Sequence, residues 1–231
     1  MPNFISEDDI EQAVLRKLAH QHGFKLLNCY TSNPDDLNDR SNRTDKSQVI
    51  FSDRLKAAAI RLNPSLPADA IAQGLEILTN KRQLMSPIAA NREIDGLIRD
   101  GIPIEYENAQ GRSEHGKVRL IDFNDLSTNR NNEYLAVSQL WIKGERNYRR
   151  PDILLYINGL PLVFIELKNS NIKLQTAFDD NLSDYKKDIP QLFLTNAFCI
   201  LSNALETKIG SFTAEWEHFF NWLRVEDEKE K

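Results

Sequence analysis

Two apolar runs near the middle of the chain, separated by a tight turn, stand out in its pattern of hydrophobic and polar positions. The runs are LLYI (154–157) and LVFI (162–165), and the Asn-Gly pair at 158–159 is a strong short-range signal for a β-hairpin. Strands this apolar are usually buried on both faces. The pattern therefore predicts a hairpin over 149–169 at the centre of the fold.

The predicted hairpin carries three charges, Asp152, Glu166 and Lys168, where a buried sheet should carry none. A buried ionised group is unfavourable unless it is paired, and two converging carboxylates repel each other unless a cation lies between them. Alternatively, Glu166 and Lys168 form a solvated pair at the end of a strand. Asp152 favours the first interpretation, which is a metal ion held by the two acids.

The register of the hairpin decides whether the two acids can share a metal. A two-residue turn at 158–159 places Asp152 and Glu166 on opposite faces of the sheet. A three-residue turn at 158–160 places them directly opposite each other, and a bulge or bend near Pro151 has the same effect. We predict the register of the three-residue turn.

The periodicity of the remaining chain predicts helices and strands on both sides of the hairpin. The predicted helices span 6–22, 52–62, 68–79, 87–99, 174–187 and 212–223, and the predicted strands span 24–30, 102–107, 117–122, 134–143 and 198–202. The polar run at 31–47 is expected to be an exposed loop. This order predicts an α/β protein with a mixed central sheet flanked by helices.

We expect the 231 residues to form a single domain. Its core would comprise 1–30 and 100–223, with a helical insertion at about 50–99 and a frayed, charged tail at 224–231. The chain contains no apolar run long enough for a membrane helix, and its start lacks the pattern of a signal peptide, so we expect a cytoplasmic protein.

Composition and charge narrow the function classes. With 41% hydrophobic and 27% charged residues, the chain is typical of globular proteins. Two cysteines, Cys29 and Cys199, are too few for a zinc site or a disulfide framework and are expected to be buried thiols. The net charge of −5 is unusual for a dedicated nucleic-acid-binding domain, so any contact with DNA must be local or shared with other parts of an assembly.

Two acids and a lysine on adjacent strands suit the hydrolysis of phosphodiesters. The acids bind Mg²⁺, which orients and acidifies a water molecule, while the lysine stabilises the charge that develops on the phosphate. Pro151-Asp152 followed by Glu166-Leu167-Lys168 is the PD-(D/E)xK nuclease pattern. The ExK triplet alone is a weak signal, because many strands contain it by chance.

The segments around this pattern are more specific. RRPD, NGLPLVFIELKN and VSQLWIKG together closely resemble the amino-terminal nuclease domain of the restriction (R) subunit of type I restriction-modification enzymes. The resemblance implies a Mg²⁺-dependent endonuclease that cuts unmodified foreign DNA in a complex with modification and specificity subunits. It implies that Asp152 and Glu166 are metal ligands and that Lys168 is the catalytic cation.

The resemblance also assigns roles outside the hairpin. A carboxylate at Glu11, on the apolar stripe of the first helix, lies at the rim of the core or points into a polar site. Family members carry a glutamate there that supports the metal site, which favours an auxiliary acid. Tyr185 matches the tyrosine of a supporting glutamine–tyrosine pair, and Asn181 replaces the glutamine.

Family R subunits also carry an ATP-driven translocase. The chain contains no GxxxxGK[ST] phosphate loop, so we expect a fragment of a longer subunit in which ATP serves only the missing motor. Six basic residues flank the site and are candidates for contacts with DNA phosphates: Arg146, Arg149, Arg150, Lys173, Lys186 and Lys187. Two alternatives remain, a nuclease-fold module that binds DNA without cutting it, and a stand-alone repair or mobile-element nuclease.

Overall fold

The computed structural model describes residues 5–82, 84–125 and 131–222. Its helices are α1 (Glu7–His22), α2 (Ser52–Leu62), α3 (Ala68–Thr79), α4 (Pro87–Asp100), α5 (Leu174–Thr176) and α6 (Ser183–Asp188), and a π-helical segment (Ala177–Leu182) joins the last two. The helices predicted at 52–62 and 68–79 are confirmed to the residue, and those at 6–22, 87–99 and 174–187 to within one. Within the described residues, no helix combines the length and the apolar character needed to cross a membrane.

Seven strands form one mixed sheet, in the order β1-β4-β7-β8-β9-β10-β11. These strands are β1 (Lys25–Asn28), β4 (Tyr134–Ser138), β7 (Ile153–Ile157), β8 (Leu160–Leu167), β9 (Phe198–Ser202), β10 (Thr207–Gly210) and β11 (Phe220–Asn221). The pairs β1–β4 and β8–β9 are parallel, and the others are antiparallel. The predicted α/β class with a mixed sheet is confirmed.

The hairpin β7–β8 lies in the middle of this sheet and is buried on both faces. Ile153 and Ile165 pack with α1 on one side. Leu154, Tyr156 and Phe164 pack on the other side, in the cluster that contains the helical segment 174–188. The prediction of a central, doubly covered hairpin is therefore confirmed.

The turn of the hairpin differs from the prediction, whereas the register near the acids agrees with it. The turn has two residues, Asn158 and Gly159, both at positive φ (52° and 84°), as a type I′ turn requires. Next to the turn Ile157 pairs with Leu160, and a β-bulge at 162 then shifts the register, so that Ile153 pairs with Ile165. The three-residue turn was wrong, but the bulge produces the register that aligns position 152 with Glu166.

A second unit packs beside the sheet. The hairpin β2 (Ile102–Glu107) and β3 (Ser113–Val118) forms a separate two-stranded sheet that shares an apolar cluster with α2, α3 and α4. The strand predicted at 117–122 was wrong, because β3 ends at Val118. After Val118, side-chain amides accept hydrogen bonds from backbone N–H groups that a strand neighbour would otherwise bind. Asn63 accepts the Arg119 N–H, and Asn132 accepts the Asp122 N–H. Helices α2, α3 and α4 thus pack together with the β2–β3 hairpin. The expected helical insertion, at about 50–99, did not include this hairpin.

Two further predictions are corrected. The strand expected at 134–143 stops at Ser138, and β5 (Ile142–Lys143) pairs separately with β6 (Tyr148–Arg149). The loop expected to be exposed at 31–47 contains a buried charge cluster instead, formed by Asp39, Arg43 and Lys46.

The helix predicted at 212–223 was wrong as far as residue 222, and Leu223 and the tail at 224–231 lie outside the described residues. A 3₁₀ turn (Trp216–His218) and strand β11 occupy this segment. Phe219 is 2% exposed, and Phe220, the first residue of β11, is 68% exposed. Phe219 packs edge-on against Phe178 and covers Gly210 of β10, so the aromatic residues are buried without a helix.

Candidate active site

Three side chains predicted from the sequence converge at one end of the central hairpin. Asp152 precedes β7, Glu166 lies near the end of β8, and Lys168 follows β8. The Lys168 Nζ atom is 3.3 Å from Glu166 Oε1, and the backbone N–H of Leu167 donates to Asp152 Oδ2 at 2.7 Å. Each acid therefore has one identified partner, one a cation and the other a main-chain amide.

Glu166 is the most constrained of these groups. It is 2% exposed, and its Oε2 atom is buried without a hydrogen-bond donor among the described residues. Burial and the charge of Asp152 raise the pKa of Glu166 to about 8, although Lys168 opposes the shift. Burial also raises the pKa of Asp152, against the Leu167 amide and Lys168. The positive charge of Lys168 is thus too small to offset the burial of both carboxylates, Asp152 and Glu166.

The residues present fit a divalent cation. A buried carboxylate oxygen without a donor is the kind of atom that a metal ion satisfies. Among the described residues, no group of three or more His, Cys, Asp or Glu side chains is arranged to hold a metal. Two carboxylates suffice for Mg²⁺, which commonly keeps several waters and takes one or two carboxylates together with substrate phosphates.

Glu11 projects from α1 toward this end of the sheet and is 7% exposed. The Gln139 side-chain amide donates to Glu11 Oε2 at 2.5 Å. Burial raises the pKa of Glu11, and the charge of Asp152 adds to this shift, whereas the Gln139 hydrogen bond lowers it. The carboxylate is therefore buried near the acids of the hairpin, and not at a solvated rim.

The two supporting residues on the helical segment after the hairpin are placed differently. Tyr185 is 6% exposed, and its hydroxyl donates to the Arg150 carbonyl at 3.0 Å. Burial and the charge of Glu166 raise the pKa of Tyr185. Asn181 lies in the π-helical segment, and its side chain makes no hydrogen bond to any described residue. Only Tyr185 is thus tied to the site.

The six basic candidates also divide into groups. Arg149 is committed to ion pairs with Asp184 and Asp188, at 2.7 and 2.5 Å. The Arg150 guanidinium lies over the rings of Tyr30 and Trp141, at 5.1 and 4.8 Å from their centroids. The remaining candidates are the exposed Arg146, Lys173 and Lys187, and Lys186, whose Nζ lies 5.4 Å from the centre of the Phe178 ring.

Sequence reasoning missed several residues near the site. Gln139 interrupts an apolar strand pattern, which was the available signal. Tyr30 and Trp141, which contact Arg150, lie in segments predicted as strands, and the strand pattern does not indicate that their rings meet an arginine. Glu7, one helical turn before Glu11, is exposed and accepts from the Asn169 N–H at 3.4 Å. Pattern alone does not reveal such contacts, because each joins segments distant in sequence.

Comparisons with known proteins agree on one family. A family model described as the type I restriction enzyme R protein N terminus matches residues 4–218. The type I restriction enzyme HindI endonuclease subunit of Haemophilus influenzae is 34% identical over 231 residues, covering 98% of this chain and 21% of the relative. A putative type I restriction enzyme MjaIXP endonuclease subunit of Methanocaldococcus jannaschii is 29% identical over 229 residues, covering 95% and 20%. The chain thus spans about a fifth of the length of these relatives.

Proposed function

Because the chain belongs to the family of type I restriction enzyme R protein N termini, we propose that it is the Mg²⁺-dependent DNA-cleaving domain of a type I restriction endonuclease subunit. The observation that carries the proposal is the buried Glu166 Oε2 atom, which has no donor within the described part of the chain, beside Asp152 and Lys168. We further propose that the sheet and its flanking helices are a restriction-endonuclease-like, PD-(D/E)xK fold.

In the proposed reaction, water attacks the phosphorus atom of the DNA backbone, and one P–O bond breaks to leave a phosphate end and a hydroxyl end. Asp152 and Glu166 would hold Mg²⁺, which supplies an acidified water and neutralises charge on the phosphate. Lys168 lies next to Glu166, and its side chain is 14% exposed. It donates to the phosphate oxygens as negative charge develops on them. The Leu167 amide fixes Asp152 during this step.

Glu11 and Tyr185 act around these groups in the proposal. Glu11 serves as the auxiliary acid, accepting from a water molecule near the two ligands. Tyr185 fixes the Arg150 main chain through its hydroxyl, and thereby the start of the segment that leads into β7. Asn181, one helical turn before Tyr185, is proposed as the other member of the supporting pair, although its side chain makes no hydrogen bond to a described residue.

Arg150 is the strongest candidate for a DNA contact. Two aromatic rings hold its guanidinium, and none of its donors is used by a described residue, whereas those of Arg149 are committed to Asp184 and Asp188. A guanidinium fixed by stacking is preorganised for a phosphate. We propose that Arg150 binds the DNA backbone and that Arg146, Lys173, Lys186 and Lys187 extend the path.

Membership of the family supports a proposal for the partners. We propose that double-stranded DNA and the modification and specificity subunits of a type I complex are the partners, and that the assembly is cytoplasmic. ATP use would belong to segments outside this chain. The acidic net charge of −5 suits a domain that cuts DNA held mainly by other parts of the assembly.

The test combines metal binding with cleavage. Mn²⁺ is titrated calorimetrically into the endonuclease subunit that carries this chain, and cleavage is measured in the assembled complex. Asp152→Asn should abolish both, and Lys168→Ala should abolish cleavage while Mn²⁺ still binds. Glu76→Gln, an exposed carboxylate on α3, is the matched control. Undiminished cleavage by Asp152→Asn contradicts the proposal, and Mn²⁺ binding without cleavage by the unaltered complex supports the non-cleaving module instead.

A further inference from the structure

Gln139 has an unusual backbone conformation at the end of β4. Its φ is 57°, in the left-handed region that residues other than glycine rarely adopt. This conformation ends the strand that the sequence predicts to continue to 143. Such a conformation is unfavourable for a residue with a side chain, and it persists where surrounding contacts hold it.

Two hydrogen bonds hold Gln139 against the site. Its backbone N–H donates to the Asp152 carbonyl at 3.0 Å, and its side-chain amide donates to Glu11 Oε2 at 2.5 Å. The preceding residue, Ser138, pairs with Ile153 in the sheet. One residue thus joins α1, the end of β4 and the residue that precedes β7.

The side-chain bond leaves the other carboxylate oxygen of Glu11 available. Glu11 Oε1 accepts no hydrogen bond from a described residue, and it is not among the fully buried atoms without partners. An acid fixed through one oxygen presents the other in a defined direction, which is the usual arrangement of groups that support a metal's water ligands.

We propose that Gln139 is a positioning residue, which sets the Glu11 carboxylate relative to Asp152 and so directs Glu11 Oε1 toward a water ligand of the bound metal. This inference rests on the proposed function, since it assigns Gln139 a role in the same reaction. A glycine at 139 would adopt the observed φ without strain. The glutamine is therefore explained by its side chain and not by the turn.

The test separates positioning from structural support. Gln139→Gly removes the amide and relieves the backbone, so the melting temperature should be unchanged or higher while single-turnover cleavage falls at least tenfold. The Mn²⁺ concentration for half-maximal cleavage should rise. Asn42→Gly is the matched control, because Asn42 is exposed and has φ of 59°. It should leave cleavage unchanged.

A double substitution tests the partner. If Gln139 acts through Glu11, the double variant Glu11→Gln, Gln139→Gly should cleave less than twofold more slowly than Glu11→Gln alone. Wild-type cleavage by Gln139→Gly, a parallel loss of cleavage and melting temperature, or independent effects in the double variant would each overturn the inference. The proposed function is judged separately by Asp152→Asn, whose undiminished cleavage would refute it whatever Gln139 does.

Discussion

Two clusters of charged side chains are buried in the described part of the chain, and they differ in how completely their charges are paired and hydrogen-bonded. In the loop cluster, Asp39 accepts from Arg43 at 2.8 Å and from Lys46 at 2.7 Å. It also accepts from the Ser41 hydroxyl and backbone N–H. Arg43 donates further to the Trp141, Lys46 and Gln48 carbonyls. One acid is surrounded by two cations, and its hydrogen bonds are complete.

The site cluster has the opposite balance. Glu166 pairs with Lys168 at 3.3 Å, Asp152 accepts from the Leu167 N–H, and Glu166 Oε2 has no donor among the described residues. The pKa values move in opposite directions. Burial would raise the pKa of Asp39, but its hydrogen bonds to Lys46, Ser41 and Arg43 lower it to about 2, whereas the pKa of Glu166 rises to about 8. Burial of charge is common to both, and only incomplete satisfaction distinguishes a candidate site from a structural cluster.

The largest expected effect separates activity from stability at Glu166. Glu166→Gln should lower cleavage by roughly 10³-fold, because it removes the charge of a proposed metal ligand. It should raise the melting temperature in metal-free buffer near pH 8, because it removes an unfavourable buried charge. Cleavage and thermal unfolding are compared with those of Glu76→Gln. A lower melting temperature would show that Glu166 stabilises the fold.

The loop cluster should respond in reverse. Asp39→Asn leaves two buried cations without a counter-charge and should lower the free energy of unfolding by about 3 kcal/mol. Cleavage per folded molecule should not change. Asp95→Asn, which breaks the exposed pair with Arg99, should alter stability by less than about 1 kcal/mol. Equal losses for the two variants would refute the contrast between buried and exposed pairs.

Acid titration gives a smaller signal of the same contrast. Asp39 has a folded-state pKa of about 2, below its ordinary value of 3.8, so its stabilising contribution is present above pH 3.8 and is lost as the pH falls toward 2. The difference corresponds to about 2 kcal/mol. Denaturant unfolding between pH 5 and pH 2 should show this slope in the wild type and its reduction in Asp39→Asn. Identical slopes would contradict the lowered pKa.

The smallest effect concerns adjacent arginines. Arg150→Ala should weaken DNA binding about tenfold at low salt and reduce the dependence of log K on log salt by roughly 0.9, the value of one phosphate contact. Arg149→Ala breaks its pairs with Asp184 and Asp188 and should leave that slope unchanged. Binding is measured with the subunit and duplex DNA across a salt series. Arg112→Ala, in the turn after β2, is the exposed control. Equal salt slopes for Arg149→Ala and Arg150→Ala would refute the proposal that only Arg150 contacts a DNA phosphate.

Local signals predicted much of the fold. Helices α2 and α3 match their predicted bounds. Ser6 and Gly23 cap the two ends of α1, and Ser86 caps the start of α4, as their residue types favour. The hairpin charges were evident because they interrupt apolar strands. The roles of these charges in catalysis stay predictions.

What the sequence did not reveal depends on contacts between distant segments. The polar composition of 31–47 favoured exposure, but Arg43 is buried, and its guanidinium donates a hydrogen bond to the Trp141 carbonyl, far away in sequence. The aromatic residues at 212–222 matched a helical stripe, yet they lie in a 3₁₀ turn and a short strand, in which Phe219 is buried and Phe220 is exposed. The bulge at 162 depends on pairing with β7 and β9, which no local signal encodes.

That bulge separates the hairpin into two halves whose side-chain alternation is out of phase. The turn half is fixed by Asn158, which is fully buried and bonded to Leu120 and Asn132. The site half is fixed by the pairing of Ile153 with Ile165 and by the Leu167 N–H, which donates to Asp152. Different contacts thus set the register of the turn half and the register of the site half. Deleting one residue at the bulge would join the two phases, send Glu166 to the far side of the sheet and separate the acids, with no change in amino-acid chemistry at either position.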